Sequence, residues 1–276
     1  MHNETKGSVN IMNQQNEIID FESLSNRVKE DKELYSKNTP YPHIVMDDVF
    51  ETRVLEQILE EFENAEKQFL EFDNLYEKKL QMNKEEYFGE MTRRFIHYLN
   101  SSRFLACLEE LTGINGLIPD PHLSGGGLHK IPRGGRLGIH VDFNRYKSLN
   151  LYRRVNVLVY LNKDWQEEFG GHFELWSDNK GTEKKRVLPV FNRMAIFTTT
   201  RKSFHGHPEP LTCPEGVSRR SIAMYYYTAG DKGDQSSKEH STIFLDKKGK
   251  EDELGKSSFV RRVKSKVKNL VQKLKS

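Results

Sequence analysis

The chain has 276 residues, of which 36% are hydrophobic and 30% charged, and its formal net charge is +3. That length accommodates one large or two small domains with a full core, while a mean hydropathy of −0.75 points to polar tails diluting a globular centre. Two cysteines, Cys107 and Cys213, exclude a disulfide framework and a Cys-rich zinc module; apolar runs of strand length exclude a membrane-spanning helix, and a polar opening stretch without an apolar leader leads us to expect a soluble, cytoplasmic protein.

Residues 1–38 are rich in Asn, Gln, Glu, Lys and Ser, with scattered apolar positions at Ile18, Ile19, Phe21 and Leu24. A flexible N-terminal segment with room for one short helix is expected there. The run Tyr41 to Met46 reads as a strand, and Leu55, Ile58, Leu59 and Phe62 recur at helical spacing after it, so an amphipathic helix follows. Ser101 and Ser102 are capping candidates for a second helix carrying Phe104, Leu105, Leu108 and Leu111, which Gly113 stops. Between the two helices, residues 66–92 are charged and aromatic without a clear period.

From Leu128 the pattern changes to short strands and Gly or Pro turns. Val155 to Leu161 is an apolar run of strand length that should be buried on both faces. Gly170-Gly171 turns the chain into the alternating stretch His172 to Trp176, and further strands are expected at Arg193 to Phe197, at Phe204-His205 and at Ser221 to Tyr227. Short strands without helix-length patterns between them argue for an antiparallel sandwich or jelly roll. The expected fold is therefore mainly β with helical support (α+β): a domain over 39–230, with a helical part at 39–119 and a β core at 120–230.

Residues 231–276 read as a polar linker followed by a basic amphipathic helix, in which Phe259, Val263, Val267, Leu270, Val271 and Leu274 repeat at three and four residues. From Lys256 to Ser276 there are eight Lys or Arg and no acid, so the +3 total leaves −5 for the rest. Such a helix either docks on the domain or meets an anionic membrane surface, peripheral at its inner face; a nucleic-acid role is not favoured, because the basicity is confined to this tail.

Chemistry is carried by Leu137-Gly138-Ile139-His140-Val141-Asp142. On an extended backbone His140 and Asp142 project from one face, and neutral imidazole with carboxylate suits iron, manganese or zinc. Two His and one carboxylate on one face of a metal leave three positions open, so a third ligand is required from another strand. Ser203-Phe204-His205-Gly206-His207-Pro208 offers His205 and, two residues on and sharing its face, His207. Downstream, Arg220 opens a strand on which Arg220, Ile222, Met224 and Tyr226 alternate, and an inward Arg needs an anion because it cannot lose its proton. Arg219 is then expected to be solvated, and Tyr225 to Tyr227 to serve packing.

His140-x-Asp142, the strand ending Tyr160-Leu161-Asn162, Gly170-Gly171, His205 and Arg220, in this order, resemble the Fe(II)- and 2-oxoglutarate-dependent dioxygenases, in their prolyl 4-hydroxylase-like branch. The resemblance covers about residues 120–228. It implies a double-stranded β-helix (jelly roll) core, with Fe(II) held by His140, Asp142 and His205; His205 is preferred to His207 because the branch tends to place Pro three residues after this ligand, as Pro208 stands here. Arg220 would bind the distal carboxylate of 2-oxoglutarate. Where the branch often carries a cosubstrate-contacting Tyr, this chain has Leu128-His129-Lys130-Ile131, so His129 or Lys130 would substitute. Asn156, opposite in phase to Val155 and Val157, reads either as a pocket residue or as a satisfied structural amide.

The implied reaction consumes O₂, releases succinate and CO₂ and hydroxylates a C–H bond, with L-ascorbate as a reductant; because halogenating relatives lack the carboxylate, Asp142 favours hydroxylation. A peptidyl proline is the substrate the family suggests first, with a saccharide, a lipid-linked intermediate or an amino acid as other classes. The alternative from a different class is a metal-binding jelly roll that binds or senses without catalysis.

Overall fold

The computed structural model describes residues 17–230, 238–246 and 248–253. Over residues 17–38 the expected loose segment is instead packed structure. Asp20 accepts a hydrogen bond from the Ser23 amide at 3.1 Å and caps helix α1, Phe21–Lys37. Its polar sequence hides three widely spaced anchors, Leu24, Val28 and Tyr35, which are all buried. The Tyr35 hydroxyl shares a hydrogen bond with Thr198 Oγ1 at 2.7 Å, tying the helix to the sheet.

Strand β1 (His43–Asp47) and helix α2 (Thr52–Asn64) follow, the latter burying Val54, Leu55, Ile58 and Phe62. The aperiodic stretch contains a hairpin, β2 (Leu70–Asp73) and β3 (Glu77–Met82). Its alternation escapes notice because charged Glu77 and Lys79 stand on the inner face of β3. Helix α3 spans Glu90–Leu99 and α4 spans Ser102–Thr112. The Ser101 side chain caps α4 through the Phe104 amide, and Gly113 at φ 69° closes it in the left-handed conformation that glycine adopts without strain. Helix α1 packs along α4.

The remaining strands are β4 (Ile118–Pro119), β5 (Gly127–Pro132), β6 (Arg136–Val141), β7 (Arg145–Tyr146), β8 (Leu151–Tyr160), β9 (Phe173–Trp176), β10 (Lys184–Val187), β11 (Arg193–Thr198), β12 (Phe204–His207), β13 (Ser218–Thr228), β14 (Ile243–Leu245) and β15 (Glu251–Glu253). Pairing is antiparallel, in the order β1-β11-β8-β13-β5-β3-β6-β12-β9-β10. The sheet curls into a nearly closed barrel, so that Phe173 of β9 meets Phe197 of β11 across the lumen at 5.2 Å between ring centroids. This is the double-stranded β-helix that the family resemblance implied.

Strand phase divides the interior into two environments. Val155, Val157 and Val159 of β8, Met194 and Ile196 of β11, and Ile222, Met224 and Tyr226 of β13 face outward and form one core with the helices. The opposite phase, Asn156, Leu158 and Tyr160 of β8 with Arg219, Ser221, Ala223 and Tyr225 of β13, lines the lumen. The helix-facing side is the apolar one, because helices seal it from water, whereas the lumen carries the polar residues. Strand β14 extends the sheet beside β6, pairing Ile243 with Val141 and Phe244 with His140. The basic helix expected over residues 259–274 lies outside the described residues.

Candidate metal centre

Strands β6 and β12 set His140 opposite His205 in register. Both imidazoles therefore enter the lumen from adjacent strands, with ring centroids 4.4 Å apart. His140 Nδ1 lies 2.9 Å from the Gly138 carbonyl and His205 Nδ1 lies 2.8 Å from the Ser203 carbonyl. A carbonyl accepts only, so each Nδ1 carries the proton and each Nε2 presents its lone pair inward. Asp142, just past the end of β6, closes the group: Oδ1 is 3.6 Å from His140 Nε2 and Oδ2 is 3.4 Å from His205 Nε2. Ligand atoms of all three residues lie within 4.8 Å of one another, and all three side chains are buried.

Nitrogen and oxygen ligands about 2.1 Å from one ion stand about 3 Å apart at right angles. The observed separations need only small side-chain adjustments to reach that. Electrostatics agree: burial and then neighbouring His205 lower the His140 pKa and keep it neutral, as a ligand must be. Burial alone would raise the Asp142 pKa, but the Arg153 guanidinium and then His205 hold the carboxyl well below its ordinary range. Two imidazoles and one carboxylate on one face fit Fe(II) with positions left open.

His207, the rival ligand, pairs with Leu137 across an irregularity in the β6–β12 ladder and is absent from the group that gathers around Asp142. It lies instead toward a second polar end of the lumen. There His207 has neither ring nitrogen hydrogen-bonded, and His129 Nε2 and the Tyr160 hydroxyl are likewise buried without partners. Burial pushes the His129 pKa down to about 3, with Lys79 and Arg219 adding to the effect, and pushes the Tyr160 hydroxyl up to about 12.

At the centre of this end is Arg219, not Arg220. Arg219 is 4% exposed, donates from Nε to the Gly171 carbonyl at 2.8 Å and stands 5.0 Å over the Tyr160 ring. Among the described residues no carboxylate pairs with it, and burial lowers its pKa. Arg220 has the opposite phase, with Ile222, Met224 and Tyr226, and forms an ion pair with Glu63 of α2. The expectation of an inward Arg220 and a solvated Arg219 is thus reversed, because the apolar row on β13 faces the helices. His129 does enter the lumen, whereas Lys130 points outward to Glu66 at 2.5 Å. Asn156 also enters but is fully engaged, accepting from Arg153 Nε at 2.9 Å and donating to Asp142 Oδ2 at 2.8 Å.

Sequence reasoning gave no role to Tyr160 or Arg153 and placed Arg219 in solvent. The signal was present in strand phase: Asn156 was already read as opposite to the valines, and Tyr160 and register-matched Ser221 follow from it by steps of two.

Comparison with known proteins agrees with this geometry. Residues 126–227 match the model of the 2OG-Fe(II) oxygenase superfamily. Over 79 residues the chain is 29% identical to mouse prolyl 3-hydroxylase OGFOD1, a match covering 27% of this chain and 14% of the mouse protein's length. The fold is similar to a Phytophthora capsici prolyl 4-hydroxylase (TM-score 0.55, 22% identity, covering 83% of this chain and 71% of that one). It is also similar to a Trichoplax adhaerens prolyl hydroxylase solved with a hypoxia inducible factor peptide fragment (TM-score 0.54, 19% identity, covering 79% of this chain and 94% of that one). Among the described residues no helix is long and apolar enough to cross a membrane. Residues 126–227 are thus similar to the 2OG-Fe(II) oxygenase superfamily, on a fold shared with solved prolyl hydroxylases.

Proposed function

We propose that the protein is an Fe(II)- and 2-oxoglutarate-dependent hydroxylase in which His140, Asp142 and His205 hold the metal and Arg219, in the place expected of Arg220, receives the distal carboxylate of 2-oxoglutarate. The observation that carries this reading is Arg219 itself. A guanidinium cannot shed its charge on burial, and one with no protein carboxylate at hand in a lumen that also holds a His-Asp-His group calls for an anionic ligand. Tyr160, whose buried hydroxyl lies beside the guanidinium, is placed to donate a second hydrogen bond. His129 and His207 line the same end and offer further polar contacts.

The residues divide the work between two ends of the lumen. Arg219 and Tyr160 orient the cosubstrate, Asp142 and the two imidazoles fix the metal, and Phe173, Leu175 and Phe197 keep the space between them dry. Bound iron, with O₂ and 2-oxoglutarate, would supply the oxidising power for hydroxylation of an unactivated C–H bond, the cosubstrate being converted to succinate and CO₂ and L-ascorbate serving as a reductant. Asp142, as the third ligand, favours hydroxyl transfer over halide transfer.

For the substrate, the prolyl hydroxylases among similar proteins support a prolyl residue in a peptide. The test has two stages. Anaerobic addition of Fe(II) and 2-oxoglutarate to the purified protein should produce a weak visible charge-transfer band that Arg219→Ala abolishes. Succinate release screened against proline-containing peptides, saccharides and amino acids should then single out the peptides. A protein that binds metal but gives no band is the non-catalytic metal-binding jelly roll instead.

A further inference from the structure

Beyond residue 227, where the family match ends, the chain returns along β6 and over the loop that follows it. Phe244 is paired with His140 and Ile243 with Val141. The ladder continues past the ends of both strands: the Asn144 amide donates to the His240 carbonyl at 3.4 Å, and the His240 amide donates to Asn144 Oδ1 at 3.0 Å. Glu239 fastens the segment through ion pairs with Arg145 at 2.9 Å and Lys147 at 2.7 Å, and Asn144 Nδ2 donates to the Lys238 carbonyl at 3.1 Å. Opposed residues of an antiparallel pair share a face. Steps of two from the pair of His140 and Phe244 therefore put His240 on the face that carries His140 and Asp142.

His240 is 9% exposed. Its Nδ1 lies 2.9 Å from the Ser241 carbonyl, which accepts only, so Nδ1 carries the proton. Burial, against the pull of that hydrogen bond, lowers its pKa and keeps the ring neutral; Arg201, Glu253 and Asp142 are the charged groups that act on it. Nε2 thus presents a lone pair, and it is buried with no hydrogen-bond partner among the described residues. Nor does it belong to the group of atoms that could hold a metal. A buried acceptor left without a donor is disfavoured, and the contacts on either side of His240 hold the ring where it is.

We propose that His240 is a substrate-contacting residue whose Nε2 accepts a hydrogen bond from an N–H of a peptide bound beside the metal group. The proposal rests on the hydroxylase reading and on its peptide substrate. A prolyl nitrogen carries no proton, so the first donor after the proline is the amide of the next residue. Recognition through His240 then asks for a residue other than proline at that position, because an N-substituted amide would leave Nε2 unpaired in the complex as well.

The full chain, loaded with Fe(II), is assayed for succinate release with a capped peptide containing one Pro-Gly step and with the same peptide N-methylated at that glycine. Its 2-oxoglutarate affinity is measured anaerobically from the charge-transfer band. With the Pro-Gly peptide, kcat/KM should fall at least about tenfold in His240→Leu, which strands the peptide N–H, and His240→Gln, which keeps an acceptor, should recover most of the loss. N-methylation should cost the wild-type protein about as much and should cost His240→Leu far less, because neither partner is then left unpaired. Affinity for 2-oxoglutarate should stay within about twofold in both variants, a result that a substitution merely loosening the metal group would not give. An unchanged kcat/KM in His240→Leu, an equal cost of N-methylation in both proteins, or a loss of cosubstrate affinity as large as the loss of kcat/KM would overturn the contact. A wild-type protein that gives the cosubstrate band but turns over no Pro-Gly peptide overturns the contact together with the peptide substrate, whereas one that gives no band overturns the hydroxylase reading itself.

Discussion

Replacing Arg219 by methionine should uncouple stability from cosubstrate binding in a way that no other lumen residue would. In the free protein the guanidinium is buried without an anion, and removing an uncompensated buried charge relieves a desolvation cost of a few kcal/mol. Against this, the Gly171 carbonyl loses its 2.8 Å donor, which costs about 1–3 kcal/mol. The two nearly cancel, and free Arg219→Met should unfold within about 2 kcal/mol of wild type. With cosubstrate present the balance changes. Truncating one partner of a buried charge pair costs about 2–5 kcal/mol, which is a loss of affinity between about 30-fold and a few thousand-fold.

The assay is thermal or urea unfolding of the metal-loaded protein with and without 2-oxoglutarate. A ligand at about one hundred times its Kd stabilises the folded state by about 2.7 kcal/mol, and that increment should fall to about 0.9 kcal/mol or less in Arg219→Met. The neighbouring Arg220→Met is the internal control. It breaks an ion pair with half-exposed Glu63, worth no more than about 1 kcal/mol, and should leave the cosubstrate increment intact. If Arg220→Met abolishes the increment and Arg219→Met preserves it, the strand phase on which the pocket is built is wrong.

Three further outcomes follow from the same geometry. His205→Ala should reduce Fe(II) or Co(II) affinity by more than about a hundredfold, whereas His207→Ala should retain metal within about tenfold; equilibrium metal titration of the two variants decides between them. Gly206→Ala should impair metal binding without touching a ligand, because a Cβ there would stand 2.7 Å from the Gly138 carbonyl oxygen and 2.8 Å from that of Leu137, forcing β12 away from β6 and parting His205 from His140; an unchanged Co(II) spectrum would refute this. Acid sensitivity should come from His129: its folded pKa of about 3 lies below the unfolded value near 6.5, so stability is full above pH 6.5 and declines by about 1.4 kcal/mol per pH unit as the pH falls toward 3, where only the unfolded chain takes up the proton. His129→Leu should make that limb shallower in urea unfolding measured at pH 7.5 and pH 5, the remainder coming from the other buried histidines such as His207 and His140, and an unchanged slope would count against burial as the cause.

What the sequence discloses and what it hides have one origin, the phase of each strand relative to its two faces. Period alone reveals that β6, β8, β12 and β13 exist, because alternation or an unbroken apolar run is visible without knowing what lies on either side. His140 and Asp142 needed only their own spacing to be placed on one face, and His205 needed a partner strand that brings it into register. Arg220 misled because the usual rule, apolar residues inward, was applied to a barrel whose apolar row on this strand faces the helices. Here the apolar row Ile222, Met224 and Tyr226 packs on helices, and the mixed row Arg219, Ser221, Ala223 and Tyr225 faces the lumen. Deciding between the phases required a second strand: Asn156 and Tyr160 on β8 fix the lumen face, and the pairing of Tyr160 with Ser221 transfers it to β13. Helix α1 was obscured for a different reason, since three buried anchors in 17 residues suffice when the helix lies over a larger core. Strand β14 was hidden more completely still. Its three residues stand alone in a polar tail, yet Phe244 stacks on Tyr76 at 4.8 Å and lies 5.1 Å from the His140 ring, so a segment beyond residue 227, where the family match ends, still presses on the first candidate metal ligand.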